Sequence, residues 1–268
     1  MRNTTPAKTM QQLMCAAGLV LMAGESSAQN TATSPAATSA QACAAHGKSQ
    51  APSQVLSAQQ QAILPIAAFA AAGDMERLTS SLQAGLEAGL SISDIREVLV
   101  QLYAYAGFPR SLNALNAFMQ LLQQREKLGI VDAPGCPPSR AIVQGDALRA
   151  AGRANQTQLA GAPVQGPLFD FAPAISEYLQ SHLFGAIFER DNLDWHSREL
   201  ATVGMLSALP GAESQLQSHM RISLNAGLSA AQLQQAVQVL DSRVGSANGQ
   251  RANTALANTL AALASQKR

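Results

Sequence analysis

Histidine and cysteine are the scarcest chemically versatile side chains in this chain, and their placement narrows the chemistry before any fold is considered. The four histidines are His46, His182, His196 and His219. No spacing among them assembles the three or four ligands a zinc site wants, so no metal is expected. Cysteine occurs at positions 15, 43 and 136, never as C-x-x-C, and neither Cys43 nor Cys136 looks like a redox catalyst. Cys43, in a low-complexity stretch, and Cys136, in the loop Pro134-Gly135-Cys136-Pro137-Pro138, form a disulfide candidate if the chain is exported. Two further positions can exchange protons. His219 stands at the margin of an apolar stripe made by Leu216, Met220 and Leu224, where an imidazole is either a satisfied structural group or a proton carrier. Glu199 shares a helical face with Val203 and Leu206, so its carboxylate points inward. It is open either to a structural ion pair with Arg198 or to acid–base work. His46 lies in the low-complexity stretch, while His182 and His196 flank helix starts without a partner motif. Trp195, the only tryptophan, is expected to pack at a helix start or a subunit contact.

Those groups must be positioned by helices. Hydrophobic residues make up 47% of the chain but aromatics only 4%, and alanine dominates, a composition that favours helix over strand. The expected fold class is all-α. A formal charge of +1 with no basic run argues against a nucleic-acid partner. The chain opens with Arg2 and Lys8, an apolar stretch from Leu13 to Gly24 and small residues at Ser26-Ser27-Ala28, which reads as a secretory signal peptide over residues 1–28. The apolar stretch is too short to span a bilayer comfortably, so the mature chain is expected to be periplasmic or secreted, without a membrane partner. Residues 29–52 read as a disordered arm of Ala, Ser, Thr, Gln and Pro.

Helix signals begin at Ser57, which forms a capping-box pattern with Gln60 before an apolar run to Ala72. Further helices are predicted from Asp74 to Ala88 and from Ser91, capped by Asp94, to Gly107. A fourth, ending near Gly129, carries Leu112, Leu115, Met119 and Leu122 on one face. Residues 130–167, rich in Pro and Gly, read as linker with a short helix around Ala141 to Ala151. Helical signals return from Phe171 to Phe188, from Asp194 to Leu209, up to Ala226-Gly227, from Ser229 with Gln232, and from Asn248 to Ser265. The two halves superpose at an offset of 138: Gly73 falls on Gly211, Leu78 on Leu216, Ala88-Gly89-Leu90 on Ala226-Gly227-Leu228, Ile95 on Leu233, Gly107 on Gly245 and Ala114 on Ala252. Helix breaks coincide along with residues, so the chain is a tandem duplication with units at 53–129 and 168–268.

The segment AGLEAGLSISDIREVLVQLYAYAGFPRSLNAL, from Ala84 to Leu115, resembles the carboxymuconolactone decarboxylase superfamily, which includes the AhpD-type alkylhydroperoxidases. The segment LDWHSRELATVGMLSALPGAESQLQSHMRISLNAGLS, from Leu193 to Ser229, carries the same resemblance in the second half. It implies two AhpD-like helical bundle units, a homo-oligomer with a trimer favoured, and active sites built from a Glu near the start of a central helix and a His about twenty residues later. Glu199 and His219 match those positions. The first half has Gln61 and Ser81 there, which cannot do the same proton transfer, so its site reads as silent. Conversely, Tyr103, Tyr105, Phe108 and Pro109 of the first half face Asp241, Arg243, Ser246 and Ala247 in the second. The expectation is a pocket walled by Tyr103, Tyr105 and Phe108 around Glu199 and His219. Gln215 would orient the ring or bind a substrate oxygen, and Arg198 or Arg221 would hold a carboxylate.

The resemblance implies a carboxy-lyase-like enzyme that needs no cofactor: decarboxylation or related proton transfer on a small carboxylated lactone or oxo-acid. The hydroperoxidase branch places a C-x-x-C shortly before its His, where this chain reads Gly211-Ala212-Glu213-Ser214-Gln215, so peroxiredoxin-type antioxidant activity is the alternative rather than the lead. A non-catalytic oligomeric binding protein is the third reading.

Overall fold

The computed structural model describes residues 54–139 and 141–266; the stretches read as a signal peptide and an arm, with Cys43 and His46, lie outside the described residues. Among the described residues the structure is helical, without strands. The first repeat contributes α1 (Ala58–Ala72), α2 (Met75–Glu87), α3 (Ile92–Gln101), the single turn α4 (Tyr103–Ala106) and α5 (Phe108–Lys127). Between the repeats lie α6 (Gly145–Ala160), α7 (Pro167–Phe171), α8 (Pro173–Tyr178) and a π-helical segment, Leu179–Ile187. The second repeat contributes α9 (Trp195–Ser207), α10 (Glu213–Ala226), α11 (Ala230–Val239), a π-helical turn at Leu240–Val244 and α12 (Ser246–Gln266). Starts at 75 and 213, 92 and 230, and 108 and 246 keep the sequence offset of 138.

Local chemistry starts these helices. Ser57, Ser91 and Ser229 each cap a helix through a complete capping box with Gln60, Asp94 and Gln232. Asp74 and Asp194 cap α2 and α9 by accepting from the amides of Arg77 and Ser197. Packing then unites the repeats in one core that draws Ile63, Ile66, Leu78, Leu82, Leu99 and Phe118 from the first and Leu200, Met205, Leu216, Met220 and Leu256 from the second. Helices α1 and α9 lie side by side at its centre. Gly204 lets them approach: a Cβ there would stand 2.7 Å from the Leu64 carbonyl oxygen and 3.1 Å from the Ala67 Cβ.

A polar network also crosses the repeats. Arg190 donates from Nε and Nη2 to Glu97 Oε2 and Oε1 at 2.8 and 2.6 Å, and Arg198 Nη2 donates to Glu97 Oε2 at 3.0 Å. Asn192 Nδ2 adds a third donor at 3.0 Å. Gln101, one turn after Glu97, donates to the Arg198 carbonyl and to Thr202 Oγ1 at 2.9 and 2.8 Å. The loop bearing Cys136 is tied to the same cluster, since Ser93 Oγ and Asn192 Nδ2 both donate to the Cys136 carbonyl. Cys136 is disulfide-bonded.

Three expectations change. The predicted apolar face of α5 is rotated. Ser111, Ala114, Phe118 and Leu121 are buried, Leu115 and Leu122 are half-buried, and Leu112 and Met119 are 61% and 51% exposed. Small residues at 111 and 114 let α5 sit close to α3, with Ser111 Oγ donating to the Leu99 carbonyl at 2.7 Å. Packing distance, more than side-chain apolarity, chose the inner face. Within 130–167, read as linker, α6 runs for 16 residues rather than around 141–151. Gly152 seats it: a Cβ would fall 1.7 Å from the Gln180 carbonyl oxygen, so the backbones of α6 and the π-helical segment touch where only glycine fits. The helical stretch expected from 171 to 188 begins earlier, at Pro167, and breaks before Pro173, whose ring drives Ala172 out of the helical region (φ −131°, ψ 71°).

Two measurements follow. Gly204→Ala should gain about 1 kcal/mol in helix propensity yet destabilise the protein by about 1–3 kcal/mol net, because a carbonyl and a methyl must move apart; urea unfolding reads the sign. Burial pushes the Glu97 carboxyl up, but hydrogen bonds from Arg190, the charge of Arg198 and further bonds from Asn192 and Arg198 outweigh it and hold it at about 2, against an ordinary 4.5. As pH falls the unfolded chain therefore takes up this proton first. The stabilisation is complete above 4.5 and drains away between 4.5 and about 2. Glu97→Gln should flatten stability across that window. Glu97→Ala should cost about 3–5 kcal/mol at neutral pH, because Arg198 is left buried without its carboxylate.

Candidate functional site

Glu199 lies one turn into α9, a helix in which every residue from Ser197 to Ser207 is buried. His219 lies mid-way along α10, beside Leu216 and Met220 of the core. The two helices are joined by the short turn around Pro210-Gly211 and pack together, which brings the side chains into register. His219 Nδ1 stands 2.8 Å from Glu199 Oε2. The carboxylate is wholly inaccessible, whereas the histidine keeps 8% of its surface exposed. His219 Nε2 makes no hydrogen bond among the described residues, so the ring spans from a buried carboxylate toward the outside.

Tyr105, from the short turn α4 of the other repeat, completes the group. Its ring meets the imidazole edge-on, with centroids 5.6 Å apart. Its hydroxyl is buried and, like Glu199 Oε1, has no hydrogen-bond partner among the described residues. Burial, and then the negative charge of Glu199, push the phenol well above its ordinary range. Thr202 pulls the other way without meeting the hydroxyl in hydrogen-bonding geometry. The phenol therefore keeps its proton and has an O–H to donate. Two orphaned buried polar atoms side by side are a costly arrangement; Asn192 Oδ1 and Arg198 Nε, in the network around Glu97, are also without a partner among the described residues.

The remaining predicted site residues are placed elsewhere. Arg198, expected to hold a substrate carboxylate, is fully buried and bound to Glu97, the Arg190 carbonyl and Gln101. Because Arg198 faces α3, the structural pair Glu199–Arg198 does not form. Gln215, expected to orient the ring, is exposed and accepts from Ser214 Oγ at 2.9 Å. Arg221 donates to Gln266 at the surface. Tyr103 and Phe108 stack on each other, centroids 4.7 Å apart, and Phe108 is 63% exposed. They extend toward His182, whose Nδ1 is 3.5 Å from the Tyr103 hydroxyl, and form an outer aromatic patch rather than the wall of an enclosed pocket. Trp195 anchors the start of α9 by donating to the Phe188 carbonyl. A groove of about 1260 Å³ lies between α6 and α7–α8, and none of its lining residues belongs to the Glu199–His219 group. No cluster of His, Cys, Asp and Glu suited to a metal occurs among the described residues.

Sequence reasoning missed Glu97, Gln101 and Arg190. A signal was present: Glu97 and Gln101 are one helical turn apart on a helix whose Ile95, Val98 and Leu99 are core residues, a pattern that marks a buried polar stripe needing partners.

The profile of the carboxymuconolactone decarboxylase family matches residues 37–120 and again residues 173–258. The chain belongs to the carboxymuconolactone decarboxylase family. Its two matches are the two structural repeats, the first beginning within the stretch read as an arm. No curated protein matches the chain. The Glu199–His219 pair comes from one repeat and the neighbouring phenol of Tyr105 from the other, so the cluster needs both copies.

Tyr105→Phe should leave stability unchanged or raise it by about 1 kcal/mol, since it removes an unsatisfied buried hydroxyl. A double-mutant cycle of Glu199→Gln and His219→Asn should give a coupling of about 1–3 kcal/mol in thermal unfolding. Strict additivity would mean that the 2.8 Å contact is not a working bond.

Proposed function

We propose that this protein is a cofactor-independent acid–base enzyme that decarboxylates, or moves a proton on, a small carboxylated lactone or oxo-acid. The observation carrying this reading is the Glu199–His219 contact: a buried carboxylate on Nδ1 and a free Nε2 at the edge of the core. A carboxylate on one ring nitrogen selects the tautomer with its proton on Nδ1 and leaves the Nε2 lone pair to act as base. When Nε2 takes a proton, Glu199 balances the charge on the ring. Tyr105, held in its protonated form, is a hydrogen-bond donor beside the imidazole.

Decarboxylation then runs in two balanced steps. The bond between the carboxylate carbon and its neighbour breaks, carbon dioxide leaves, and the bonding electrons pass into an enolate conjugated with the adjacent carbonyl. His219, carrying a proton on Nε2, delivers it to the enolate carbon, and solvent restores the proton. Net uptake is one proton for each carbon dioxide released. Proton transfer by a positioned side chain contributes about 10²–10⁴-fold.

The test is carbon dioxide release, and deuterium uptake from heavy water, across a panel of β-oxo-acids and carboxylated butenolides. Glu199→Gln and His219→Asn should each lower kcat/KM by about 10²-fold or more, Tyr105→Phe should lower it less, and Cys43→Ser with Cys136→Ser should retain it. Peroxide consumption that survives Glu199→Gln but disappears in the double serine variant would overturn this reading in favour of a thiol peroxidase.

A further inference from the structure

The duplication gives the Glu199–His219 site a counterpart. Position for position, Gln61 replaces Glu199, Ser81 replaces His219 and Arg243 replaces Tyr105. The same crossing of repeats recurs. Arg243, from the π-helical turn of the second repeat, reaches Gln61 on α1 of the first and donates from Nη2 to its Oε1 at 3.3 Å. Gln61 is held for this by its own amide, which donates to the Leu56 carbonyl at 3.0 Å. This site is hollow. A cavity of about 200 Å³ opens between α1 and α2, walled by Ala62, Pro65 and Ala84, with Ser80, Ser81 and Arg243 at its polar side.

The substitutions invert the chemistry of the site rather than erase it. A carboxylate, an imidazole and a phenol have become an amide, a hydroxyl and a guanidinium. Arg243 forms no ion pair among the described residues. Its one side-chain contact there is the long bond to Gln61, which leaves most of its N–H fork unspent. Ser81 makes no hydrogen bond among the described residues either, so its hydroxyl can turn into the cavity. No acidic side chain lines the space. A guanidinium fork beside a hydroxyl, over alanine and proline walls, matches a planar carboxylate attached to a short apolar body. The volume equals that of roughly seven waters, which suits a small organic acid and excludes a peptide or a nucleotide.

We propose that the first-repeat cavity between α1 and α2 is a binding site for a small monocarboxylate, held by Arg243 and Ser81. This site stands apart from the Glu199–His219 pair and does not depend on the activity assigned to it.

The experiment titrates the full chain with sodium benzoate and sodium butanoate, following amide shifts by NMR and heats by calorimetry. Saturable binding is expected, with shifts centred on residues 61–65, 80–88 and 243. Arg243→Gln should weaken it by about tenfold or more. Ser81→Leu, which fills the cavity, should abolish it. Arg243 is exposed and holds a single long bond, so both variants are expected to keep the wild-type melting curve. Glu199→Gln should bind as the wild type does. Three results would each overturn the proposal: no saturable binding by wild type, affinity unchanged in both cavity variants, or loss of binding in Glu199→Gln. The last would place the acid at the other repeat's site. Equal affinity for inorganic phosphate would overturn the carboxylate class.

Discussion

The structure depends on a helix with no side facing water. Helix α9 is buried from Ser197 to Ser207, pressed against α1 along one flank, α3 along another and α10 along a third. In such a place an unpaired charge is prohibitively costly, so the polar side chains on α9 must find partners within the fold. Arg198 takes Glu97, Thr202 takes Gln101, Glu199 takes His219, and Ser207 turns back on the Gly204 carbonyl. Helix–helix orientation and site geometry are two aspects of this one requirement.

It also explains why adjacent residues have opposite roles. Arg198 and Glu199 are neighbours in sequence and could neutralise each other, but successive helical positions point about 100° apart. One is turned to α3 and the other to α10. The arginine is spent on joining the repeats. The glutamate is left with one oxygen bonded and one bare, next to a buried phenol in the same condition. Beside the histidine, a buried acceptor and a buried phenol are left unpartnered together; Asn192 Oδ1 and Arg198 Nε, in the neighbouring network, are the other buried polar atoms without a partner among the described residues.

Duplication shapes the site in a second way. The residue from the turn after the third helix of each repeat crosses to the corresponding position of the other repeat, Tyr105 to His219 and Arg243 to Gln61. Neither copy could form a complete site alone. After duplication the two positions were free to diverge in character, one holding a carboxylate and an imidazole and the other an amide and a guanidinium, while the shared core stayed intact.

Helix starts, breaks and the repeat were legible in the sequence, because capping is decided within three or four residues: Ser57 with Gln60, Ser91 with Asp94 and Ser229 with Gln232 occur as read. The family was legible from the motifs around Glu199 and His219. What the sequence could not decide was which polar group meets which across the fold. Arg198 with Glu97, Tyr105 against His219, the inner face of α5 and the docking of α6 through Gly152 all rest on contacts between residues tens of positions apart. Those depend on how closely two backbones can approach, and that distance is set by small residues such as Gly204, Gly152 and Ala114 acting together. Local hydrogen bonds are written residue by residue; partners across a core are fixed only once the whole of it is packed.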